Sequence, residues 1–131
     1  MKRGLHTSKQ CQKLNNFFDR DKIQQKYFVD VKITTPYKRE IEVDQNKCVN
    51  YLIQSTTSDM LLSSALKVSK ILEGKSSFVS FCIHDSIVID MSYEDKNLVE
   101  DILDAFSNTK LGKFKTNMNL GKNFGNMRKI R

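Results

Sequence analysis

The chain reads as an α+β fold with strands in mostly antiparallel pairs, and three observations predict it. A single long stretch has helical hydrophobic spacing, two short β-prone runs are joined by only two residues, and a second amphipathic helix follows them. The long stretch runs from about Asn46 to Leu72. Val49, Leu52, Ile53, Thr56, Met60, Leu61, Ala65, Val68, Ile71 and Leu72 recur there at intervals of three and four. At ~1.5 Å per residue such a helix is about 40 Å long and can back a whole domain. Glu73-Gly74 supplies a glycine stop.

The β-prone runs are Phe78 to Ile83 and Ser86 to Asp90, joined by His84-Asp85. The spacing predicts a hairpin with a tight turn, although His-Asp is not a usual turn pair. A turn lacking Asn-Gly or Asp-Gly points to residues kept for another task. Ser92 is expected to open the second helix as N-cap, with Asp95 completing a variant capping box. Leu98, Val99, Ile102, Leu103 and Phe106 form its apolar stripe. Upstream, Ser8 to Gln25 carries a weak helical pattern and Lys26 to Ile33 reads as a strand. Thr35-Pro36-Tyr37-Lys38 has turn chemistry and Glu40 to Val43 is expected to return as a strand. Phe114 to Leu120 alternates apolar and polar residues and predicts a final strand. The expected order is β-β-α-β-β-α-β.

The 131 residues suffice for one compact domain. Net charge is +7, unevenly spread. Residues 1–27 hold 7 Lys/Arg against 2 Asp/Glu, and residues 107–131 hold 7 Lys/Arg and no acid. The centre, 28–106, has 8 bases against 13 acids. Basic ends around an acidic centre suit a site that handles cations beside a polyanion. The three cysteines, Cys11, Cys48 and Cys82, show neither a disulfide framework nor zinc spacing, so a reduced compartment is expected. No apolar run approaches the roughly 20 residues of a membrane span, and no apolar leader segment follows Met1-Lys2-Arg3. The organisation expected is a basic N-terminal segment, 1–27, helical or docking, followed by a folded body, 28–131.

Asp85 sits at the tip of an otherwise apolar hairpin. Alone, such an aspartate is ordinarily a turn former. Asn50, Gln54 and Ser58 fall four residues apart on one helix face, which alone would be solvated polar surface. Their combination has a precedent. Asn50-Tyr51-Leu52-Ile53-Gln54-Ser55-Thr56-Thr57-Ser58-Asp59 resembles the N-x-x-x-Q-G-T-A-A-D segment of family A (polymerase I-like) DNA polymerases. Thirty residues after Gln54 stands His84, and Ile83-His84-Asp85-Ser86 resembles that family's motif C, usually V-H-D-E. Leu120-Gly121-Lys122-Asn123-Phe124-Gly125 resembles the family's closing G-x-N-W, with Phe for Trp. Tyr37-Lys38-Arg39 parallels the G-R-x-R turn before the helix. The resemblance covers about residues 30–131.

The resemblance implies the C-terminal part of a polymerase palm, in which an antiparallel sheet with the motif C hairpin is backed by the long helix and a shorter one. It implies that Asp85 is a catalytic carboxylate and a Mg²⁺ ligand of a two-metal site, and that Asn50, Gln54 and His84 face the minor groove of the DNA primer-template. The implied substrate is a dNTP, and the implied location is the cytoplasm of a bacterial or phage-infected cell. Ser86 replaces the glutamate after the catalytic aspartate, so no second carboxylate carries over there. Motif A and the motif B fingers helix are missing. The chain is therefore expected to be one piece of a split polymerase, inactive alone and completed by a second polypeptide, or a DNA-binding palm remnant without chemistry. Single-subunit RNA polymerases share His-Asp-Ser but lack the N-x-x-x-Q-x-T-x-x-D helix, which ranks them behind DNA polymerases.

Overall fold

A computed structural model describes residues 19–130 of the chain. The chain divides into two compact units, Met1–Thr56 and Thr57–Arg131. Helices stand beside four small antiparallel sheets among the described residues, an α+β composition.

In the first unit, helix α1 spans Arg20–Tyr27. Asp19 caps it, its carboxylate accepting from the backbone N–H of Asp21 and of Lys22 at 3.1 and 3.3 Å. These bonds satisfy two of the donors a helix start leaves unpaired. The segment expected as one strand, Lys26 to Ile33, is instead the end of α1 and a tight hairpin. Strand β1, Phe28–Val29, pairs with β2, Lys32–Thr34, across the turn Asp30-Val31. Both turn residues have positive φ, 49° and 63°, the pattern of a type I′ turn. The propensity of the run hid this turn, because valine is among the residues least suited to that backbone. The stretch expected as a helix from Ser8 is described only from Asp19, and the rest lies outside the described residues.

Strand β3, Glu40–Glu42, completes a three-stranded meander, as its short β-prone run predicts. The turn before it closes through the Lys38 N–H donating to the Thr35 carbonyl at 2.8 Å. Helix α2, Cys48–Ile71, follows a 3₁₀ turn at Gln45–Lys47. Ile33, Val43, Cys48 and Leu52 form the buried core of this unit. Ile33, only 1% exposed, contributes about 1.5–3 kcal/mol by leaving water.

In the second unit α2 buries Leu61, Ala65 and Val68, and Leu72, just past its end, is buried with them. Gly74, at φ 70°, turns the chain away in the left-handed conformation that glycine adopts freely. The hairpin follows, β4 Phe78–Ile83 with β5 Ser86–Asp90. Its register pairs Val79 with Ile89, Phe81 with Val88 and Ile83 with Ser86, with a bulge between Val79 and Phe81. Val79, Ile87 and Ile89 pack on Val68, Leu72 and Ile102. Phe78, Phe81 and Ile83 remain 55%, 47% and 40% exposed.

Helix α3 is Val99–Ser107, preceded by a 3₁₀ turn at Tyr93–Leu98. The expected capping box is absent. Ser92 makes no side-chain cap bond, and the Asp95 carboxylate accepts instead from the Ser77 N–H and hydroxyl. The expected strand Phe114 to Leu120 is also corrected. After β6, Asn108–Thr109, and β7, Gly112–Lys113, residues 114–118 are irregular. Only Asn119–Leu120 forms a strand, β8, paired with β9, Arg128–Lys129. Alternation over 114–120 had no buried side to serve, because Phe114 and Leu120 are 46% and 58% exposed. No helix among the described residues is long and apolar enough to cross a membrane.

Candidate functional site

The β4–β5 hairpin sets Asp85 at the far end of two strands paired on both sides of a single bulge. A two-residue connection requires unusual backbone angles, and only His84 of the pair has positive φ, at 51°. That sign pattern matches a type II′ turn, whose first central residue is ordinarily glycine. A β-carbon there costs on the order of 1–3 kcal/mol, a strain that concentrates at functional positions. Both His84 and Asp85 are exposed. The Ser86 hydroxyl donates to Asp85 Oδ1 at 3.2 Å, which orients the carboxylate.

Beneath the tip lies a cavity of about 170 Å³. Asp85 lines it together with Thr57 and Ser64 of α2, Phe106 of α3, and Phe114 and Lys115 of the irregular segment. The wall is therefore part apolar and part hydroxyl, with one carboxylate and one ammonium. Lys115, Ser64, Thr109 and Thr116, which all line the cavity, were not marked as site residues by any pattern in the sequence. Lys115 alternated with Phe114 in a run that imitated a strand, and nothing local ties residue 115 to residue 85.

Asn50 and Gln54 lie one turn apart on the first half of α2, in the first unit, and both are exposed. They share a face, as four-residue spacing dictates. His84 and Asp85 belong to the second unit. Each of the four is exposed and so accessible to a ligand. The Tyr37-Lys38-Arg39 turn stays close to this helix, where the Arg39 guanidinium donates to the Ser55 carbonyl at 3.1 Å.

Mg²⁺ takes several hard oxygen ligands in a near-octahedral shell. Among the described residues no three of His, Cys, Asp and Glu stand together, and the single carboxylate of the cavity shares its wall with the cation of Lys115. Among the described residues, Asp85 is the one carboxylate that lines this cavity, fewer than a pair of such ions takes.

Gly121 in the closing motif has a steric role. A β-carbon on it would lie 2.6 Å from the Asn126 carbonyl oxygen and 2.9 Å from Met127 Cα. The β8–β9 connection folds over this residue, and only a hydrogen fits beneath.

No known protein family, curated protein or solved structure matches this chain.

Proposed function

We propose that this chain is the C-terminal palm part of a family A DNA-directed DNA polymerase, which performs template-directed nucleotidyl transfer when joined to a second polypeptide carrying motifs A and B. The observation that carries the reading is Asp85, an exposed carboxylate at the end of a strained, paired hairpin. The surrounding sequence supports it: the N-x-x-x-Q helix, His-Asp and Gly-x-Asn-Phe occur in the family's order and spacing. In the assembly Asp85 supplies one ligand to metal ions whose other carboxylate comes from the partner. The need for a partner agrees with the lone carboxylate of the cavity.

The β4–β5 sheet has two strands, and no third strand joins it among the described residues. Its outer face exposes Phe78, Phe81 and Ile83. An open edge and an apolar face both favour association with another chain. Asn50, Gln54 and His84 carry amide and imidazole donors. Purine N3 and pyrimidine O2 offer acceptors at nearly one place in the minor groove for every base pair. Such donors test pair geometry without reading sequence.

A second reading, a DNA-binding palm remnant without chemistry, is favoured by the same shortage of carboxylates. Primer extension separates the two. The purified chain alone is expected to add no dNTP to a primer-template at millimolar Mg²⁺, and to do so once the chain carrying motifs A and B is supplied. Extension by the chain alone refutes the shared site. Failure with every polymerase fragment from the same source leaves the remnant reading.

A further inference from the structure

The C-terminal hairpin carries a cluster of features that the transfer chemistry does not use. Strands β8 and β9 pair Asn119 with Lys129 and Leu120 with Arg128, and the Ile130 N–H extends the pairing to the Met118 carbonyl at 2.8 Å. The loop between them holds Lys122 and Phe124. Residues 107–131 contain no Asp or Glu, so the cations here have no acid of their own segment to neutralise them. Lys113 is bound to Asp104 at 2.9 Å, but none of Lys122, Arg128 and Lys129 forms an ion pair among the described residues. All three are exposed.

Phe124, two residues after Lys122 and four before Arg128, is 60% exposed. Its ring is held rather than free, since it meets the Phe81 ring at a centroid distance of 6.2 Å and an interplanar angle of 46°. A supported aromatic with most of its surface in water, close in sequence to unpaired cations, is an arrangement that polar solvation does not explain. An acidic partner protein would satisfy the cations and leave the ring unused. A base with its face open would use both.

We infer that the β8–β9 hairpin binds single-stranded nucleic acid, with Phe124 stacking on an unpaired base and Lys122, Arg128 and Lys129 engaging the backbone phosphates. The inference does not rest on the polymerase reading, because it requires neither a partner chain nor Asp85. Bases in a duplex already stack on one another, so the ring discriminates in favour of single strands. Phosphate contacts are common to both forms.

Fluorescence anisotropy of the full chain with labelled dT20, rU20 and a 20-base-pair duplex tests this. Phe124→Leu keeps an apolar contact with Phe81 and removes the ring, so it is the informative variant, with Phe124→Trp as the rescue. Loss of stacking is expected to weaken dT20 binding about tenfold, with duplex binding changed less than twofold and Phe124→Trp at or above the wild-type affinity. Each of Lys122→Ala, Arg128→Ala and Lys129→Ala is expected to lower the slope of log K against log salt by about 0.7 on dT20. Equal behaviour of dT20 and rU20 identifies a shared single-strand site, and a preference for one names the polymer. Asp85→Ala is expected to bind dT20 as the wild type does, which keeps this result separate from the polymerase question. Unchanged dT20 affinity in Phe124→Leu, or a wild-type duplex affinity equal to that for dT20, overturns the inference and leaves a general polyanion surface.

Discussion

The carboxylate of Asp95 accepts two hydrogen bonds from Ser77, one from its backbone N–H at 2.8 Å and one from its hydroxyl at 2.7 Å. The same hydroxyl oxygen accepts from the Ser92 N–H at 2.8 Å. The residue just before the β4–β5 hairpin is thus tied to the turn that leads into α3. Ser77 is 1% exposed and Asp95 8%, so the pair is out of water. Asp95→Ala leaves a buried N–H and hydroxyl without their acceptor and is expected to cost about 1–3 kcal/mol. Asp95→Asn keeps an acceptor oxygen and should cost less. Urea denaturation of the three proteins measures the order, and an Asp95→Ala protein within experimental error of wild type refutes the role.

Val31 gives the opposite kind of prediction. It sits at φ 63° in the β1–β2 turn with its side chain 62% exposed, so its β-carbon is strained and little packing is lost on its removal. Relief of on the order of 1–3 kcal/mol of strain is partly offset by the flexibility glycine adds to the unfolded chain. Val31→Gly is expected to raise stability by a net of about 1 kcal/mol. Differential scanning calorimetry reads it as a higher Tm, and a lower Tm shows that the turn is not strained as described.

Asp104 makes the second unit sensitive to acid. The Lys113 ammonium bonds to its carboxylate at 2.9 Å, and with the Asn108 amide it holds the carboxyl below its ordinary range. A carboxyl whose folded pKa is depressed stabilises the fold above its unfolded value near 3.8, and that contribution fades as pH falls through the folded value. Asp104→Asn is expected to flatten the acid limb of a stability-against-pH profile below about pH 4. Both partners are exposed, so added salt should shrink the difference. A parallel acid limb in the variant contradicts the linkage.

Helix α2, the β4–β5 hairpin and helix α3 were legible because each carries its own period. Val68 and Leu72 mark one helical face, and Val79, Ile87 and Ile89 mark one sheet face. What escaped depends on partners distant in sequence or on tolerated strain. Asp95 stands three residues after Ser92 and imitates a capping box, while its real partner, Ser77, lies 18 residues upstream. The Asp30-Val31 turn lacks the residues that usually announce a hairpin. At the candidate site, the exposed turn of His84 and Asp85 was readable from its uncommon composition. The cavity beneath was not, because it gathers Ser64, Asp85, Phe106 and Lys115 from separate stretches of the chain.

The central claim is that Asp85 serves nucleotidyl transfer as one of two carboxylates, the other on a partner chain. Primer extension by the reconstituted pair, with wild type and Asp85→Asn compared at equal DNA occupancy, tests it most directly. The substitution keeps the size of the side chain and removes the charge that a metal needs. The account predicts a fall in rate of at least about a thousandfold, a loss of roughly 4 kcal/mol of transition-state stabilisation, with primer-template affinity changed less than twofold. An Asp85→Asn pair that extends at near the wild-type rate would contradict it.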